Sequence, residues 1–269
     1  MKKYNVGFVG CGKMASAIIR GLIKSGFAQP AELLATQAET EGIEEKSKEM
    51  GIEIILDNKE LVKCSDIVVI AVKPNQAEGV LEEIRPLLTS EKLVVSIAAG
   101  VTTTFLESKL PNNTRVVRVM PNTPALVGEG MSGICGGKFA TEGDLEYIKN
   151  MLSSIGRCII VNEAQIDIVT AISGSGPAFF YKVINDIARA GEKLGLEYEK
   201  SLLLSIQTAI GSAKMAMNRT ISMEELISNV ATKGGCTRVG VDCMDNFDTE
   251  KIFYDVIKST TEKAHALGK

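Results

Sequence analysis

Val6-Gly7-Phe8-Val9-Gly10-Cys11-Gly12-Lys13-Met14-Ala15 forms a short apolar run that leads into glycines and then into an amphipathic stretch. Three small residues, Gly10, Gly12 and Ala15, stand at the spacing G-x-G-x-x-A. The first permits a tight turn from strand to helix, the second lets the backbone approach a pyrophosphate, and the third lets the helix pack closely on the strand. The stretch therefore predicts a dinucleotide-binding turn followed by a helix over residues 16–24. A glycine-rich turn without a ligand is the alternative.

The bulk composition is that of a soluble globular protein. Of the 269 residues, 45% are hydrophobic and 23% are charged, and the formal net charge is −3. Because acidic and basic residues are interspersed, we expect neither a nucleic-acid groove nor a membrane-binding face. The longest apolar run, residues 67–72, is too short to cross a bilayer.

The cysteines and the histidine argue against a metal site. No two cysteines form a C-x-x-C pair, and no histidine lies near any of them in the sequence. With His265 as the sole histidine, we expect no zinc site and interpret His265 as a solvated helix residue. Scattered thiols are typical of a reducing cytoplasm, so we expect a cytoplasmic protein. The six cysteines are Cys11, Cys64, Cys135, Cys158, Cys236 and Cys243.

Short apolar runs alternate with polar helical stretches in the N-terminal part of the chain. Runs of this length suit a parallel sheet that is buried on both faces. With crossover helices at 75–88 and 103–109, the alternation predicts a doubly wound Rossmann domain. A run at 131–135 predicts a further strand, as a hairpin partner of the last run. The other runs are 6–9, 33–35, 67–72, 93–97, 116–120 and 158–161.

Beyond Val161 the pattern becomes helical, so the fold class is α/β with an all-helical C-terminal domain. We predict a dinucleotide-binding domain at 1–162 and a helical substrate-binding and dimerisation domain at 163–269. We interpret Glu163 and Asp167 as charges at a helix start. The predicted helices are 167–172, 177–194, 199–217, 223–229 and 249–267.

Two stretches follow predicted strands, where ligands bind in such sheets. In Ala71-Val72-Lys73-Pro74 the proline keeps Lys73 extended; a solvated lysine at an ordinary strand exit is the alternative. Met120-Pro121-Asn122-Thr123-Pro124 forms a rigid loop that can present an amide and a hydroxyl to a substrate or a nicotinamide. A purely structural turn is the alternative there.

A third stretch, Thr232-Lys233-Gly234-Gly235-Cys236-Thr237, precedes a predicted helix. Two glycines beside hydroxyl groups make a concave set of backbone N–H groups that suits a carboxylate. A Gly-Gly helix break without a ligand is the alternative.

Together these stretches resemble the pyrroline-5-carboxylate reductase family over essentially the whole chain. The family pattern G-x-x-G-x-G-x-M is matched by Gly7, Gly10, Gly12 and Met14. The patterns A-V-K-P, M-P-N-T-P and T-A-x-S-G-S-G-P-A are matched at 71–74, 120–124 and 170–178, and S-P-G-G-T-T is matched loosely at 232–237.

The resemblance implies reduction of 1-pyrroline-5-carboxylate to L-proline with NAD(P)H, the last step of proline biosynthesis. It implies a homodimer formed through the helical domain, with dimers that assemble into rings. It places the substrate carboxylate on the loop 232–237, supplied by the partner subunit, and makes Thr237 the catalytic residue through a hydrogen bond to the ring nitrogen. The implied substrate-binding residues are Thr232, Gly234, Gly235, Cys236 and Thr237.

The second predicted strand ends at Ala35-Thr36-Gln37, where an NAD-binding protein carries an acidic residue. Since no acid stands there, we expect NADPH, with NADH as the alternative. The candidate cofactor-binding residues are Gly10, Gly12, Lys13, Met14, Thr36, Gln37, Ala71, Val72, Lys73, Pro74, Met120, Asn122 and Thr123.

The chain departs from the family pattern in the substrate loop. Lys233 replaces the usual proline, and Cys236 replaces a threonine or an alanine. These changes leave two other functions open. One is reduction of a related cyclic imine or a β-hydroxyacid on the same fold, and the other is a non-catalytic nucleotide-binding relative.

Overall fold

The computed structural model describes residues 3–268. They divide into two units, one of residues 3–175 with 260–268 and the other of residues 176–259. Residues 163–175 therefore pack with the sheet of the first unit.

The first unit is built on an eight-stranded sheet with the order β3-β2-β1-β4-β5-β6-β7-β8. Neighbouring strands are parallel except β6 and β7, which are antiparallel. The first six strands have the order of a dinucleotide-binding sheet, which confirms the predicted Rossmann architecture. In chain order the strands are Tyr4–Val9, Leu33–Thr36, Glu53–Ile55, Ser65–Ile70, Leu93–Ser96, Arg115–Met120, Gly130–Gly136 and Gly156–Ile160.

Helices connect the strands and then make up the second unit. Helix α7 continues into a π-helical turn at Thr170–Gly174, in which the amide of Ser175 donates to the carbonyl of Thr170. In chain order α1 to α12 are Lys13–Ser25, Ile43–Met50, Asn58–Cys64, Pro74–Ile84, Thr103–Lys109, Glu142–Leu152, Ile166–Val169, Gly176–Lys193, Tyr198–Met217, Met223–Val230, Cys236–Asn246 and Thr249–Leu267.

Both faces of the sheet are buried, as the continuous apolar runs predict. Strand β1 directs Val6 and Phe8 into one hydrophobic cluster, which includes Ile18 and Leu22 of α1. The next residue, Val9, enters the opposite cluster, together with residues of α3 and α4. Because successive side chains of a strand alternate between faces, an unbroken apolar run fills both clusters.

The structure corrects the predicted hairpin. Strand β7 is antiparallel to β6 and parallel to β8, with helix α6 as the crossover between β7 and β8. A short turn can join antiparallel strands such as β6 and β7, whereas parallel neighbours such as β7 and β8 require a crossover connection. The sequence also did not predict β3, because a strand of three residues is too short to show a hydrophobic period.

The second unit contains a hairpin of α8 and α9 that depends on a close approach. A Cβ at Gly191 would lie 2.0 Å from Ser201 Oγ, and Gly195 has a φ of +100° in the turn between the helices. The unit also exposes many large apolar side chains, including Phe180, Leu194 and Leu203. An apolar surface of this extent is typical of a protein–protein interface.

Candidate active site

A cleft of ≈ 400 Å³ lies at the carboxyl ends of β1, β2 and β4. The chain reverses its direction of travel across the sheet between β1 and β4, and ligands of open α/β sheets bind at such a switch point. Seven of the predicted cofactor residues line the cleft: Gly10, Gly12, Thr36, Gln37, Ala71, Val72 and Lys73.

The two glycines of the opening motif have different structural requirements. Gly10 has a φ of +97°, and a Cβ there would lie 2.9 Å from the carbonyl oxygen of Ala71. Gly12 is the N-cap of α1 with an ordinary φ of −77°, and a Cβ there would meet no atom within 4 Å. Position 12 thus borders open space in front of a helix N-terminus, which is a cradle suited to phosphate. The residues present therefore fit a dinucleotide.

Thr36 at the end of β2 is held by a chain of hydrogen bonds. Its Oγ1 accepts from the amide of Gly10 at 3.1 Å and donates to Oδ1 of Asn58 at 2.7 Å. The amide of Asn58 in turn donates to Glu83 at 2.9 Å. These hydrogen bonds fix the distance between the glycine loop and the end of β2. Thr36 therefore helps to set the shape of the cleft that it lines.

Two residues near the β2 exit have roles that the sequence did not reveal. The side-chain amide of Gln37 donates to the carbonyls of Glu39 and Glu41, at 3.0 and 2.9 Å, so it holds the loop after β2 in place. Lys46 of α2 also lines the cleft, and its ammonium donates to the carbonyl of Cys11 in the glycine loop.

Lys73 lies at the other side of the cleft as the residue before helix α4. Its ψ of 148° is extended, as expected before Pro74, and its amide donates to Gln76 Oε1 at 3.3 Å. Pro74 occupies the first helical turn, where its missing N–H costs nothing.

Six predicted cofactor residues do not line this cleft. They are Lys13, Met14, Pro74, Met120, Asn122 and Thr123. Asn122 is 8% exposed, and its side-chain amide is hydrogen-bonded to other residues of the first unit. It donates to the carbonyl of Ser173 at 3.0 Å and accepts from the amide of Met131 at 2.8 Å. Asn122 thereby ties the β6 exit to the π-helical turn, and contact of these six with a cofactor stays a prediction.

The loop 232–237 lies in the second unit and leads into helix α11. Gly234 has a φ of +77°, and a Cβ at Gly235 would lie 3.0 Å from Thr232 Oγ1. Gly235 is the N-cap, so Cys236 and Thr237 are the first two helical residues. Their amides have no carbonyl one turn earlier within the helix and can bind an anion. The backbone of this loop is thus suited to an anion such as a carboxylate, and Thr237 is the second residue of the helix.

Glu163 and Asp167 stand at the starts of their helices, as predicted, and also take part in a buried ionic cluster of the first unit. Arg118 of β6 is 4% exposed, and it lies 2.5 Å from Glu163 Oε1 and 3.8 Å from Asp167 Oδ1. The exposed His265 approaches Asp167 Oδ2 at 3.1 Å. These carboxylates thus neutralise a buried arginine in addition to lying at the starts of their helices. Both lie one turn apart on the same helical face, but nothing in the sequence indicated their partner.

Hydrogen bonds keep Glu163 ionised. Burial opposes the charge, but donors from the Thr103 amide, Arg118 and Cys135 outweigh it and hold the pKa of Glu163 below its ordinary value. Burial, reinforced by this carboxylate, raises the pKa of Cys135. The thiol therefore donates to Glu163 as a neutral group.

Comparison with known proteins agrees with this architecture. Residues 163–267 match the family described as pyrroline-5-carboxylate reductase dimerisation. Residues 5–100 match the family described as NADP oxidoreductase, coenzyme F420-dependent. A pyrroline-5-carboxylate reductase of Methanosarcina acetivorans is 38% identical over 269 residues, which cover 100% of both chains.

The chain belongs to the pyrroline-5-carboxylate reductase family. Among solved structures, the reductase of Coxiella burnetii matches with a TM-score of 0.95 at 32% identity and covers 99% of each chain. The Plasmodium falciparum enzyme, solved with NADP bound, matches with a TM-score of 0.86 at 33% identity and covers 100% of each chain. The resemblance predicted from the motifs is thereby confirmed.

Membership of the reductase family also bears on assembly. The matched dimerisation region includes the whole second unit with its exposed apolar side chains, so the chain is a homo-oligomer. Between residues 3 and 268, no helix combines the length and the apolar character needed to cross a membrane.

Proposed function

We propose that this protein reduces 1-pyrroline-5-carboxylate to L-proline by hydride transfer from NADPH, as the last step of proline biosynthesis. The observation that carries the proposal is the match of the entire chain to a pyrroline-5-carboxylate reductase at 38% identity. The cleft at the glycine loop supports it, because Gly12 opens onto free space at a helix N-terminus.

NADPH supplies the hydride when it is bound. The chain's own residues would orient it: the amides at the start of α1 would hold the pyrophosphate, and Gly10 lets the loop lie against Ala71 at the end of β4. NADH is the alternative donor. We infer that Lys73 and the β6 exit, residues 120–123, complete the cofactor site.

The substrate is an imine that is easily reduced once its nitrogen carries a proton. Hydride adds to the ring carbon of the C=N bond, and the electron pair of that bond passes to the nitrogen. The positive charge of the iminium disappears, so the enzyme needs orientation and an anion site more than a strong acid. Thr232, Gly234, Gly235 and Cys236 would hold the carboxylate, and Thr237 would hydrogen-bond the ring nitrogen.

The function is tested by following NADPH oxidation with 1-pyrroline-5-carboxylate and, in parallel, with piperideine carboxylates and with a 3-oxo acid, whose reduction would give a β-hydroxyacid. Preferred turnover of the five-membered ring supports the proposal. A higher kcat/KM for one of the other substrates would instead identify the protein as a reductase of that related compound. Binding of cofactor without turnover of any substrate would favour a non-catalytic nucleotide-binding protein.

The role of Thr237 is tested by Thr237→Ala and Thr237→Ser. We expect Thr237→Ala to lower kcat/KM for the imine with an unchanged Kd for NADP+, and Thr237→Ser to recover most of the loss. Thr89→Ala is a matched control, since Thr89 lies exposed on the first unit. Unchanged kinetics in Thr237→Ala would remove this residue from the mechanism.

We further infer a homodimer, with dimers assembling into a ring, in the cytoplasm. The division into a dinucleotide-binding domain at 1–162 and a substrate-binding and dimerisation domain at 163–269 is supported by where the two family matches lie. Light scattering measures the assembly directly: a monomer would contradict the inference, and a mass of two chains would limit it to the dimer.

A further inference from the structure

Lys46 is the cation that the cleft holds near the exit of β2. It is half-buried on α2 and lines the same cleft as Thr36 and Gln37. Its ammonium donates one hydrogen bond to the carbonyl of Cys11. An ammonium has three donors, so two remain for a ligand.

The position of this cation is informative because of what surrounds it. In dinucleotide-binding sheets, the residue at the end of β2 meets the 2′ position of the adenosine ribose. Here that residue is Thr36, which is neutral, 2% exposed, and occupied by its bonds to Gly10 and Asn58. Neither a carboxylate for a 2′-hydroxyl nor an arginine for a 2′-phosphate stands at that point.

We propose that Lys46 is the residue that selects the 2′-phosphorylated dinucleotide, and that Glu39 opposes it. The inference rests on the proposed function only in that the cleft holds a nicotinamide dinucleotide. A lysine beside the ribose stabilises a phosphate by charge-assisted hydrogen bonds, but it contributes little to a neutral hydroxyl.

Glu39 lines the same cleft three residues beyond Thr36. Its backbone is held by Gln37, since the Gln37 amide donates to the carbonyl of Glu39 at 3.0 Å. A carboxylate near a 2′-phosphate repels it, whereas the same carboxylate accepts a hydrogen bond from a 2′-hydroxyl. The balance between Lys46 and Glu39 would therefore set the preference between NADPH and NADH.

The test is direct binding of NADP+ and NAD+ to purified protein by calorimetry, without imine. We expect Lys46→Met to weaken NADP+ about tenfold, the loss of one charge-assisted hydrogen bond, and to leave NAD+ within about twofold. Lys46→Arg should retain most of the NADP+ affinity. Lys48→Met is the matched control, because Lys48 lies on the same helix, is exposed, and does not line the cleft.

Glu39→Gln provides the opposite change. It should tighten NADP+ binding relative to NAD+ by a few-fold, since it removes a repulsion from the phosphate and leaves the hydroxyl only the weaker, neutral acceptor of an amide. A ratio of the two affinities that stays unchanged in Lys46→Met would overturn the inference, and one that stays unchanged in Glu39→Gln would remove Glu39 from it.

A purely structural role for Lys46 predicts a different result. If Lys46 only held the glycine loop through Cys11, or contacted the pyrophosphate common to both dinucleotides, Lys46→Met would weaken NADP+ and NAD+ equally. That result would overturn the inference even in an active reductase. Conversely, a protein that shows the shift in the affinity ratio but reduces no imine would retain this inference and lose the proposed function.

Discussion

The guanidinium of Arg118 lies 2.5 Å from the carboxylate of Glu163, and this pair joins strand β6 to the segment that follows β8. Asp167 lies 3.8 Å from the same guanidinium on the next helical turn. One buried arginine therefore fixes the segment that leads into the π-helical turn at Thr170–Gly174.

We expect Arg118→Met to lower the free energy of unfolding by about 2–3 kcal/mol, because two carboxylates lose their buried partner. The value lies below the range for a fully buried pair because Glu163 is 32% exposed and solvent screens part of the cost. Urea denaturation measures it. Lys149→Met, which breaks an exposed pair with Glu146, is the control. An equal cost in both variants would contradict the structural role of Arg118.

Glu163 should make stability depend on pH in the acidic range. Its pKa in the folded state lies below the ordinary value of 4.5, so its contribution is present above about pH 5 and is lost as the pH falls through the folded-state pKa. The stability difference between wild type and Glu163→Gln should therefore shrink below about pH 5. Chemical denaturation from neutral pH downwards measures it, with Glu146→Gln as control. A difference that stays constant with pH would refute the linkage.

The two glycines of the opening motif should respond differently to substitution. Gly12→Ser should leave stability nearly unchanged, because serine is a good N-cap and its Cβ meets no atom, yet weaken NADP+ binding by more than about tenfold by filling the phosphate cradle. Gly10→Ala should destabilise the fold by about 1–3 kcal/mol, because of its positive φ and the nearby Ala71 carbonyl. Calorimetric Kd values and thermal unfolding separate the two effects. Intact NADP+ binding in Gly12→Ser would place the dinucleotide elsewhere.

Gly191→Ala and Gly79→Ala should have opposite signs although both glycines are helical. A Cβ at Gly191 would lie 2.0 Å from Ser201 Oγ, so we expect a loss of about 1–2 kcal/mol. A Cβ at Gly79 would meet no atom within 4 Å, so alanine there should stabilise α4 by up to about 1 kcal/mol.

Thermal or urea unfolding of the two glycine variants gives the signs. Ser201→Ala should recover part of the loss in Gly191→Ala, since it removes the nearest atom. A stabilised Gly191→Ala would show that α8 and α9 leave room for a methyl group between Gly191 and Ser201.

The motifs at strand ends could be read from the sequence because each depends on residues close together in the chain. Gly10, Gly12, the β4 exit at 71–73 and the helices at 103–109 and 249–267 all fall where predicted. The strand β3 and the pairing of β7 could not be read, because three residues show no period and strand partners are distant in the sequence. The sequence did not indicate that Asn58 lines the cleft, because Asn58 follows β3 and that strand was not predicted.

The sequence by itself determined the glycine turn and every strand except β3, because periodicity and short-range conformational preference act over a few neighbouring residues. Its motifs also indicated the family to which the chain belongs. Only the tertiary structure decided which distant side chains meet. Lys46 reaches the glycine loop from α2, Asn122 is held by Ser173 and Met131, and Glu163 neutralises Arg118. These contacts depend on how the helices pack on the sheet. A hydrogen bond or an ion pair between residues that are far apart in the sequence leaves no local pattern in the chain.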